Sequence, residues 1–303
     1  MTRIKQTDFI QSIADALQYI SYYHPKDYID ALAQAYELEQ SEAAKDAMGQ
    51  ILLNSRLCAM GHRPICQDTG MVVVFLTIGM DVSWDATLSI EAMVNQGVAQ
   101  AYTHPDNPLR ASMVSDPSGK RINTGDNTPA IVHTRLVPGN TVEVAISAKG
   151  GGSENKSKLV MLNPSDSIAD WVIQTLPTMG AGWCPPGMLG IGVGGSAEKA
   201  VLMAKESLMQ HIDMPQLLAR GPKSALEELR IEIYQRANAL GIGAQGLGGL
   251  TTVLDVKIVD YPTHAASKPV AMIPNCAATR HIHFSLDGSG PAELLIPKIE
   301  DWP

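Results

Sequence analysis

Three cysteines of this chain lie in short segments that interrupt helices and strands. The segments are Ile65-Cys66-Gln67-Asp68-Thr69-Gly70, Gly182-Trp183-Cys184-Pro185-Pro186-Gly187 and Ile273-Pro274-Asn275-Cys276-Ala277-Ala278. Because glycine and proline favour turns, each of these thiols is predicted to lie on a loop. The first segment is followed by an apolar run that is typical of a buried strand, Met71–Leu76. Its thiol, amide, carboxylate and hydroxyl groups are therefore expected on a turn that leads into a strand.

Cys58 has a different setting, because it lies in a helical pattern and is predicted to be a packed core residue. The N-terminus lacks the apolar core of a signal peptide, and no apolar run approaches the roughly 20 residues of a membrane helix. A cytoplasmic protein is therefore expected. Since that compartment disfavours disulfides, each cysteine is a buried hydrophobe, a metal ligand or a nucleophile.

The composition restricts the partners of the chain. Among its 303 residues, 45% are hydrophobic and 18% are charged, which is typical of neither a disordered nor a membrane-spanning protein. The net charge of −8 argues against nucleic acid or an anionic membrane as a partner. An acidic protein can still carry a local pocket for a small anion, so a small-molecule ligand remains compatible with the charge.

The hydrophobic pattern predicts an α/β fold, with a helical N-terminal region followed by mixed β-sheets flanked by helices. Helical periodicity covers most of residues 1–60 and returns at Ile90–Tyr102. Ile131–Leu136 and Thr141–Ser147 are predicted strands, and the Pro138-Gly139-Asn140 segment between them indicates a hairpin. The segments 281–286 and 294–297 are also predicted as strands.

Glycine-rich segments suggest anion binding. Lys149-Gly150-Gly151-Gly152-Ser153 exposes consecutive backbone N–H groups beside a lysine, which suits a phosphate or a carboxylate. The segment lacks the ending of a Walker loop, and a flexible hairpin loop is an equally good interpretation. Gly194-Gly195-Ser196, between a predicted strand and a predicted helix, is a second potential anion site.

Three cysteines on separate turns suit a cofactor that is held where several loops converge. Zinc usually requires a fourth cysteine or histidine and short Cys-x-x-Cys pairs. This sequence has no Cys-x-x-Cys pair. A cubane iron–sulfur cluster with three protein ligands would leave one iron free to act on a substrate as a Lewis acid. Ordinary packed cysteines are the alternative.

Several motifs in one fixed order carry a resemblance to a known family. They are Cys66-Gln67-Asp68-Thr69-Gly70, Lys149-Gly150-Gly151-Gly152-Ser153, Cys184-Pro185-Pro186, Gly241-Ile242-Gly243-Ala244-Gln245-Gly246, and His264 with Cys276. Together they resemble the N-terminal domain of class I, iron–sulfur-dependent fumarate hydratases, which are related to tartrate dehydratase alpha subunits. The resemblance covers essentially the whole chain. It implies a single cluster-binding domain over residues 1–303, with a helical subregion at 1–60.

The resemblance also implies a cofactor, a reaction and a set of site residues. A 4Fe–4S cluster would be ligated by Cys66, Cys184 and Cys276, and its fourth iron would be open to the substrate. The reaction would be the reversible hydration of the dicarboxylate fumarate to L-malate, a step of the tricarboxylic acid cycle.

By the same resemblance, Asp68 takes part in acid/base chemistry, paired with a threonine of the C-terminal domain. Gln67 hydrogen-bonds the substrate, Arg110 binds a carboxylate, and the Gly150 backbone lines the pocket. His264 reaches the site of the partner subunit in a homodimer. From the residues alone, Asp68 could instead cap a turn, Arg110 could be a surface residue, and His264 could be a turn histidine.

The C-terminal fumarase domain that completes the site in the family is absent from these 303 residues. We expect a fragment of a one-chain fumarase that lacks full activity by itself; the alternative is the alpha chain of a two-subunit enzyme. The substrate could also be that of a tartrate dehydratase or a mesaconate-type hydratase. A small-anion binding module without a redox metal is the hypothesis from another functional class.

Overall fold

The computed structural model describes residues 2–298 and Trp302. The helices are α1 Gln6–Tyr22, α2 Lys26–Leu38, α3 Glu42–Gly61, α4 Ile90–Tyr102, α5 Gly151–Glu154, α6 Ile168–Thr175, α7 Ala197–Ser207, α8 Met214–Arg220 and α9 Ala225–Ala239. The strands are β1 Thr2–Lys5, β2 Met71–Gly79, β3 Val82–Asp85, β4 Val114–Ser115, β5 Ile122–Asn123, β6 Ile131–Val137, β7 Val142–Lys149, β8 Lys158–Leu162, β9 Gly187–Gly194, β10 Val253–Tyr261, β11 Lys268–Asn275 and β12 His281–Leu286. The predicted α/β class, with a helical N-terminal region and mixed sheets, is confirmed.

The chain forms two compact units. The first consists of Met1–Pro25, Ser55–Gly151 and Arg280–Trp302, and the second consists mainly of Lys26–Asn54 and Gly152–Thr279. Each unit is therefore built from segments that are distant in sequence. No helix in the described part of the chain is both long and apolar enough to cross a membrane.

The first unit is organised around a four-stranded sheet in the order β12-β7-β2-β6. Helix α1 buries Phe9, Ile13, Leu17 and Ile20, which recur at helical spacing, and it packs against β7 and α4. Gly97 lets α4 approach closely, because a Cβ at this position would lie 2.7 Å from the Cβ of Ile13. The smallest residue is thus required where the two helices cross.

The predicted hairpin between 131–136 and 141–147 is wrong. Strand β2 lies between β6 and β7, parallel to β6 and antiparallel to β7. The connection around Gly139 wraps the end of β2: Gly79 donates to the Thr141 carbonyl at 2.9 Å, and Asp81 donates to the Gly139 carbonyl at 2.9 Å. The most continuously apolar strand takes the central position, since buried surface is available on both of its faces there.

The second unit contains the sheet β10-β9-β11-β8, in which β9 is parallel to β10 and antiparallel to β11. Helix α7 packs on β9, β10 and β11, and α9 packs on β10. Gly190 and Gly192 let α7 lie directly on β9, because a Cβ at Gly192 would lie 2.0 Å from the Ala200 carbonyl oxygen. The core of this unit includes the fully buried Trp183.

Most of the predicted elements are present within a few residues, including the helix at Ile90–Tyr102 and the strand at His281–Leu286. The strand predicted at 294–297 is absent from the described structure. Leu295 and Ile296 are instead 88% and 71% exposed, and the Leu295 carbonyl accepts a hydrogen bond from the Tyr19 hydroxyl at 3.1 Å. The segment is apolar, but no neighbouring strand of the described structure pairs with it. An apolar run was therefore not sufficient to predict a strand here.

The contact between α7 and β9 leads to a stability prediction. Gly192→Ala forces its new methyl group into the Ala200 carbonyl, and we expect it to reduce the free energy of unfolding by about 2–3 kcal/mol. Urea denaturation of the whole chain, followed by circular dichroism, measures this change. Gly61→Ala is the control: the nearest atoms lie 3.5 Å or more from the new Cβ, so the free energy of unfolding should be unchanged or rise by up to about 1 kcal/mol. Equal stability of Gly192→Ala and the wild type would contradict the packing argument.

Candidate active site

Four segments meet at one end of the sheet in the first unit. Strand β7 runs antiparallel to both β2 and β12, and β6 runs parallel to β2. The first residues of β2, β6 and β12 therefore lie beside the last residues of β7. The segments gathered there are Cys66–Gly70, 127–130, Gly150–Gly151 and the residue that precedes β12, Arg280.

Asp68 is held at this end of the sheet by backbone donors on both carboxylate oxygens. The Gly151 N–H donates to Oδ2 at 2.7 Å, and the Gly70 N–H donates to Oδ1 at 3.1 Å. Gly70 has φ +84°, and a Cβ there would lie 2.8 Å from backbone atoms of Ala148 and Lys149. Only glycine therefore allows the turn to approach β7 closely enough for Asp68 to reach the Gly151 N–H.

Cys66 and Gln67 lie next to this carboxylate in the same turn. The Cys66 thiol is half-buried and donates to Oε1 of Gln67 at 3.4 Å, while Gln67 itself is exposed. The Ile65 N–H donates to the Ser21 carbonyl at 2.9 Å, which fixes the start of the turn to α1. The two side chains are thus presented from a turn that is anchored on both sides.

The loop that carries Arg110 is bound to the same turn. The Thr69 hydroxyl donates to the Arg110 carbonyl and lies 3.2 Å from the Ser112 hydroxyl. The Arg110 side chain itself is exposed. The structure therefore brings the backbone of Arg110 to the motif of Asp68, across about 40 residues of sequence.

Asn127 is a further connection in this region and is fully buried. Its Oδ1 accepts from the Ser112 N–H at 2.7 Å and from the Met113 N–H at 3.1 Å, and its Nδ2 donates to the Gly70 carbonyl at 3.0 Å. One side chain therefore joins the Arg110 loop to the turn before β2.

Tyr102, at the end of α4, contacts the turn that carries Asp68 and Thr69. Its hydroxyl donates to the Thr69 carbonyl at 3.0 Å. Burial raises the pKa of Tyr102 to about 12; the nearby Arg280 guanidinium acts in the opposite direction, and the Asp68 carboxylate adds to the increase. The hydroxyl therefore stays protonated near neutral pH and keeps its role as a donor.

In the second unit, Cys184 and Cys276 lie at one end of the sheet. Strands β9 and β11 are antiparallel with Met188 opposite Asn275, so the turn before β9 is next to the turn after β11. The Ala277 N–H donates to the Cys184 carbonyl at 2.9 Å. Cys184 is exposed and has φ +55°, whereas Cys276 is half-buried. The second unit thus brings two of the three candidate thiols together.

Two residues support the Cys184 turn from neighbouring segments. Both the N–H and the Nε2 of Gln245 donate to the Pro185 carbonyl, each at 2.7 Å. The Tyr28 hydroxyl donates to the Pro186 carbonyl at 3.1 Å. Burial raises the pKa of Tyr28 well above its ordinary value. The glycine-rich segment that contains Gln245 thus serves to hold the cysteine turn.

His264 lies at the opposite end of this sheet. It follows β10, which is parallel to β9, whereas Cys184 precedes β9. The separation is roughly the length of β9, about 25 Å. His264 is exposed, and its Nδ1 accepts from the Ala266 N–H at 3.1 Å. It therefore does not approach Cys184 and Cys276 of its own unit.

The candidate thiols fit a cluster by their chemistry. Among residues 2–298 and Trp302, no group of three or more His, Cys, Asp or Glu side chains could hold a metal ion. Thiolate sulfur is nevertheless the ligand of iron–sulfur clusters, and two such groups share one end of the second sheet. Cys58 is different: it is buried, its thiol donates to the Pro64 carbonyl at 3.6 Å, and burial raises its pKa.

No sequence pattern identified Asn127, Tyr102, Arg280 or the role of Gln245. Asn127 lies in a polar segment before β6 and Gln245 lies in the glycine-rich segment 241–246, but their partners are 14 to 60 residues away. Arg280 follows Cys276 by four residues, and nothing in that spacing indicates its burial. A search for polar residues within four residues of the start of a predicted strand would have found Asn127 and Arg280.

The role of Asn127 can be tested with an isosteric change. Asn127→Asp keeps the acceptor for Ser112 and Met113 but removes the donor to the Gly70 carbonyl and buries a charge. We expect the free energy of unfolding to fall by about 2–3 kcal/mol, measured in urea. The Arg110 loop should also become more sensitive to trypsin. Asn140→Asp is the exposed control in the same unit and should change stability by less than about 0.5 kcal/mol. Identical behaviour of the two variants would contradict this role.

Comparison with known proteins assigns the family. The sequence model described as fumarate hydratase (Fumerase) matches residues 10–285. A putative L(+)-tartrate dehydratase subunit alpha of Methanocaldococcus jannaschii is 36% identical over 85% of this chain and 90% of its own length. The anaerobic class I fumarate hydratase of Escherichia coli K12 is 30% identical over 88% of this chain, which spans only 49% of that enzyme. The L(+)-tartrate dehydratase subunit alpha of E. coli UTI89 is 27% identical over 88% of the chain and 87% of its own length. The chain therefore belongs to the hydro-lyase family that contains the class I fumarate hydratases and the tartrate dehydratase alpha subunits.

Proposed function

We propose that this chain forms part of the active site of a hydro-lyase that adds water to, or removes it from, a four-carbon dicarboxylate. Fumarate and L-malate are the first candidate pair. The observation that carries the proposal is the Asp68 carboxylate, which is fixed by the Gly151 N–H beside the Arg110 loop. Membership of the hydro-lyase family supports the class of reaction.

The residues at this end of the first sheet suit such a reaction. Removal of water from a 2-hydroxy dicarboxylate needs a base for the proton on the carbon next to a carboxylate. We assign Asp68 to acid/base work, because its carboxylate is positioned on a rigid turn. The Arg110 guanidinium can bind a substrate carboxylate with two parallel hydrogen bonds, and the Gln67 amide can both donate and accept. The Gly150 backbone would line the same pocket.

For the cofactor, we propose that Cys66, Cys184 and Cys276 hold a 4Fe–4S cluster. Support comes from the donor chemistry of the thiols, from the adjacent Cys184 and Cys276 turns, and from the family. When bound, such a cluster supplies a Lewis acid for the hydroxyl group that leaves or enters. Cys58 is excluded from this set because it is buried in contact with Pro64.

We further propose that the site is completed by a second domain or subunit. This chain spans about half of the length of the class I fumarate hydratases that it matches, and the tartrate dehydratase relatives are described as alpha subunits. The isolated chain is therefore expected to lack full activity. In a homodimer, His264 would serve the site of the partner subunit, which agrees with its exposure and its distance from Cys184.

L(+)-tartrate is the second candidate substrate. The relative described as a putative tartrate dehydratase alpha subunit is 36% identical and is covered over 90% of its length. Tartrate is also a four-carbon 2-hydroxy dicarboxylate and differs from malate by one further hydroxyl group. Asp68, Arg110 and Gln67 would serve both substrates in the same way, so a direct comparison of rates decides between them.

The ligand assignment predicts a clear division among the four cysteines. After anaerobic addition of iron and sulfide, the wild-type chain should bind about four irons and show the broad visible absorption of a cluster. Cys66→Ser, Cys184→Ser and Cys276→Ser should each lose most of the absorption and of the bound iron. Cys58→Ser is the matched control and should retain both. Loss of absorption in Cys58→Ser alone would contradict the assignment, and no absorption in the wild type would favour a small-anion binding module.

The assignment of Asp68 predicts a kinetic effect in the enzyme assembled with its second domain or subunit. Asp68→Asn should lower kcat by about 10²–10⁴-fold with a much smaller change in KM, because the side chain that moves the proton is removed. The formation of fumarate from malate and of the 2-oxo dicarboxylate from tartrate can each be followed by ultraviolet absorption. Asp106→Asn, an exposed carboxylate change in the same unit, should leave kcat unchanged. A wild-type kcat for Asp68→Asn would remove Asp68 from the acid/base role.

A further inference from the structure

Arg280 is a buried cation with unused hydrogen-bond donors. Its side chain is 3% exposed, and neither Nε nor Nη2 has a hydrogen-bond partner among the described residues. Its backbone is fixed, since its carbonyl accepts from the Ala148 N–H at 3.1 Å. The position of the Arg280 backbone therefore follows from the pairing of β12 with β7, and the buried guanidinium has no hydrogen bond at Nε or Nη2 within the described part of the chain.

Arg230 shows how the same protein treats another buried arginine. It is 9% exposed, and its Nε donates to the Val256 carbonyl at 2.7 Å. Its Nη2 lies 2.5 Å from Oδ1 of Asp213 and 3.2 Å from Oδ1 of Asp255. Arg230 thus has both carbonyl and carboxylate partners, as a buried guanidinium requires. Arg280 is the exception to be explained.

The two unused atoms of Arg280 lie on one edge of the guanidinium. Nε–H and one N–H of Nη2 point in parallel, and this pair matches the two oxygens of a carboxylate. A carboxylate at this edge would satisfy both donors and neutralise the charge. The chemistry of the edge therefore specifies its partner as a carboxylate or a similarly shaped anion.

Asp68 is the carboxylate that borders the same space. A Cβ on Gly150 would lie 3.0 Å from Oδ2 of Asp68 and 3.7 Å from Nη2 of Arg280, so both groups surround one point beside the Gly150 backbone. Both groups also lie close enough to Tyr102 to affect its pKa: the Arg280 charge lowers this pKa and the Asp68 charge raises it. In the structure, Asp68 is bound to the neutral N–H groups of Gly151 and Gly70.

Gly150 keeps the space between these two groups open. Its φ lies outside the left-handed region, so the backbone itself would accept an L side chain. The restriction comes from the neighbours instead, since a methyl group would stand against Asp68 and beside Arg280. Glycine at this position therefore leaves a path between the carboxylate and the guanidinium.

We propose that Arg280 is the counter-charge and second partner of Asp68. The Asp68 carboxylate exchanges between the Gly151 N–H, where it is seen, and the Nε/Nη2 edge of Arg280. When Asp68 pairs with Arg280, the Gly151 N–H becomes available to a substrate oxygen. Arg280 is a positioning residue that acts through Asp68 and does not touch the substrate; this kinetic role rests on the proposed function, whereas the pairing itself does not.

A double-mutant cycle on the whole chain, without substrate or cluster, tests the pairing. The midpoints of urea unfolding are measured for Asp68→Asn, Arg280→Met and the double variant. We expect clear non-additivity: either single change leaves one charge unpaired, so the second change costs much less than it does alone. Asp68→Asn combined with Arg3→Met is the control and should be additive, because Arg3 pairs with Asp85 at 3.0 Å. Additive shifts for Asp68 and Arg280 would overturn the proposal.

Two further measurements do not depend on the stability of Arg280→Met. In the wild-type chain, the Arg280 Nε–H should give a protected NMR signal that shifts in Asp68→Asn. Gly150→Ala keeps both charges but places a methyl group between them. In this background, the shifts of the urea midpoint caused by Asp68→Asn and Arg280→Met should become additive. A signal that is identical in wild type, Asp68→Asn and Gly150→Ala would overturn the exchange.

The kinetic role is tested in the enzyme assembled with its second domain or subunit. Arg280→Met should lower kcat by about 100-fold with KM changed less than about threefold, and Arg280→Lys should restore part of kcat. An increase in KM at unchanged kcat would show that Arg280 binds the substrate and would overturn the positioning role. If the assembled wild-type enzyme has no hydro-lyase activity, the proposed function fails, and the double-mutant cycle still decides the pairing of Asp68 with Arg280.

Discussion

The candidate site depends on the close approach of Gly70 to the last residues of β7. Any side chain at Gly70 would collide with the backbone of Ala148 and Lys149, and the turn before β2 would have to move away. Asp68 would then lose the Gly151 N–H, and Thr69 and Asn127 would lose their hold on the Arg110 loop. One backbone contact therefore determines the positions of an acid, an arginine loop and a glycine-rich segment that are far apart in sequence.

Buried charge is managed in two different ways in this protein. In the second unit, Asp255 is fully buried and is bound by Arg230 and by Lys257 at 2.9 Å. Burial would raise the pKa of Asp213, but hydrogen bonds from Arg230 and Lys257 lower it to about 2, so that carboxylate stays ionised over the physiological range. Such a network stabilises one arrangement, since each charge has a partner in place. Arg280 and Asp68 carry opposite charges, but Nε and Nη2 of Arg280 have no hydrogen bond among the described residues. This arrangement suits a carboxylate that changes partners.

The sequence allowed the helices and the reactive turns to be predicted, because both signals are local. The apolar spacing of Phe9, Ile13 and Leu17 identifies α1, and glycine and proline identify the turns around Cys184 and Cys276. The failures have a long-range cause. The hairpin prediction could not anticipate that β2 would enter between β6 and β7, because strand order depends on where the most apolar strand can bury both faces. Arg280 and Asn127 were missed since each acts on residues that only the sheet brings near.

The glycine-rich segment 149–153 shows how a correct chemical interpretation can be incomplete. Its exposed N–H groups indicated an anion site, and the Gly151 N–H does bind a carboxylate. That carboxylate belongs to Asp68 of the same chain. A substrate carboxylate or hydroxyl that binds here must therefore compete with Asp68 or wait until Asp68 has another partner. The unused edge of Arg280 provides such a partner, and Gly150 leaves the path to it open. An internal anion that moves aside would keep the N–H groups satisfied in the absence of substrate and would couple substrate binding to the movement of the catalytic carboxylate.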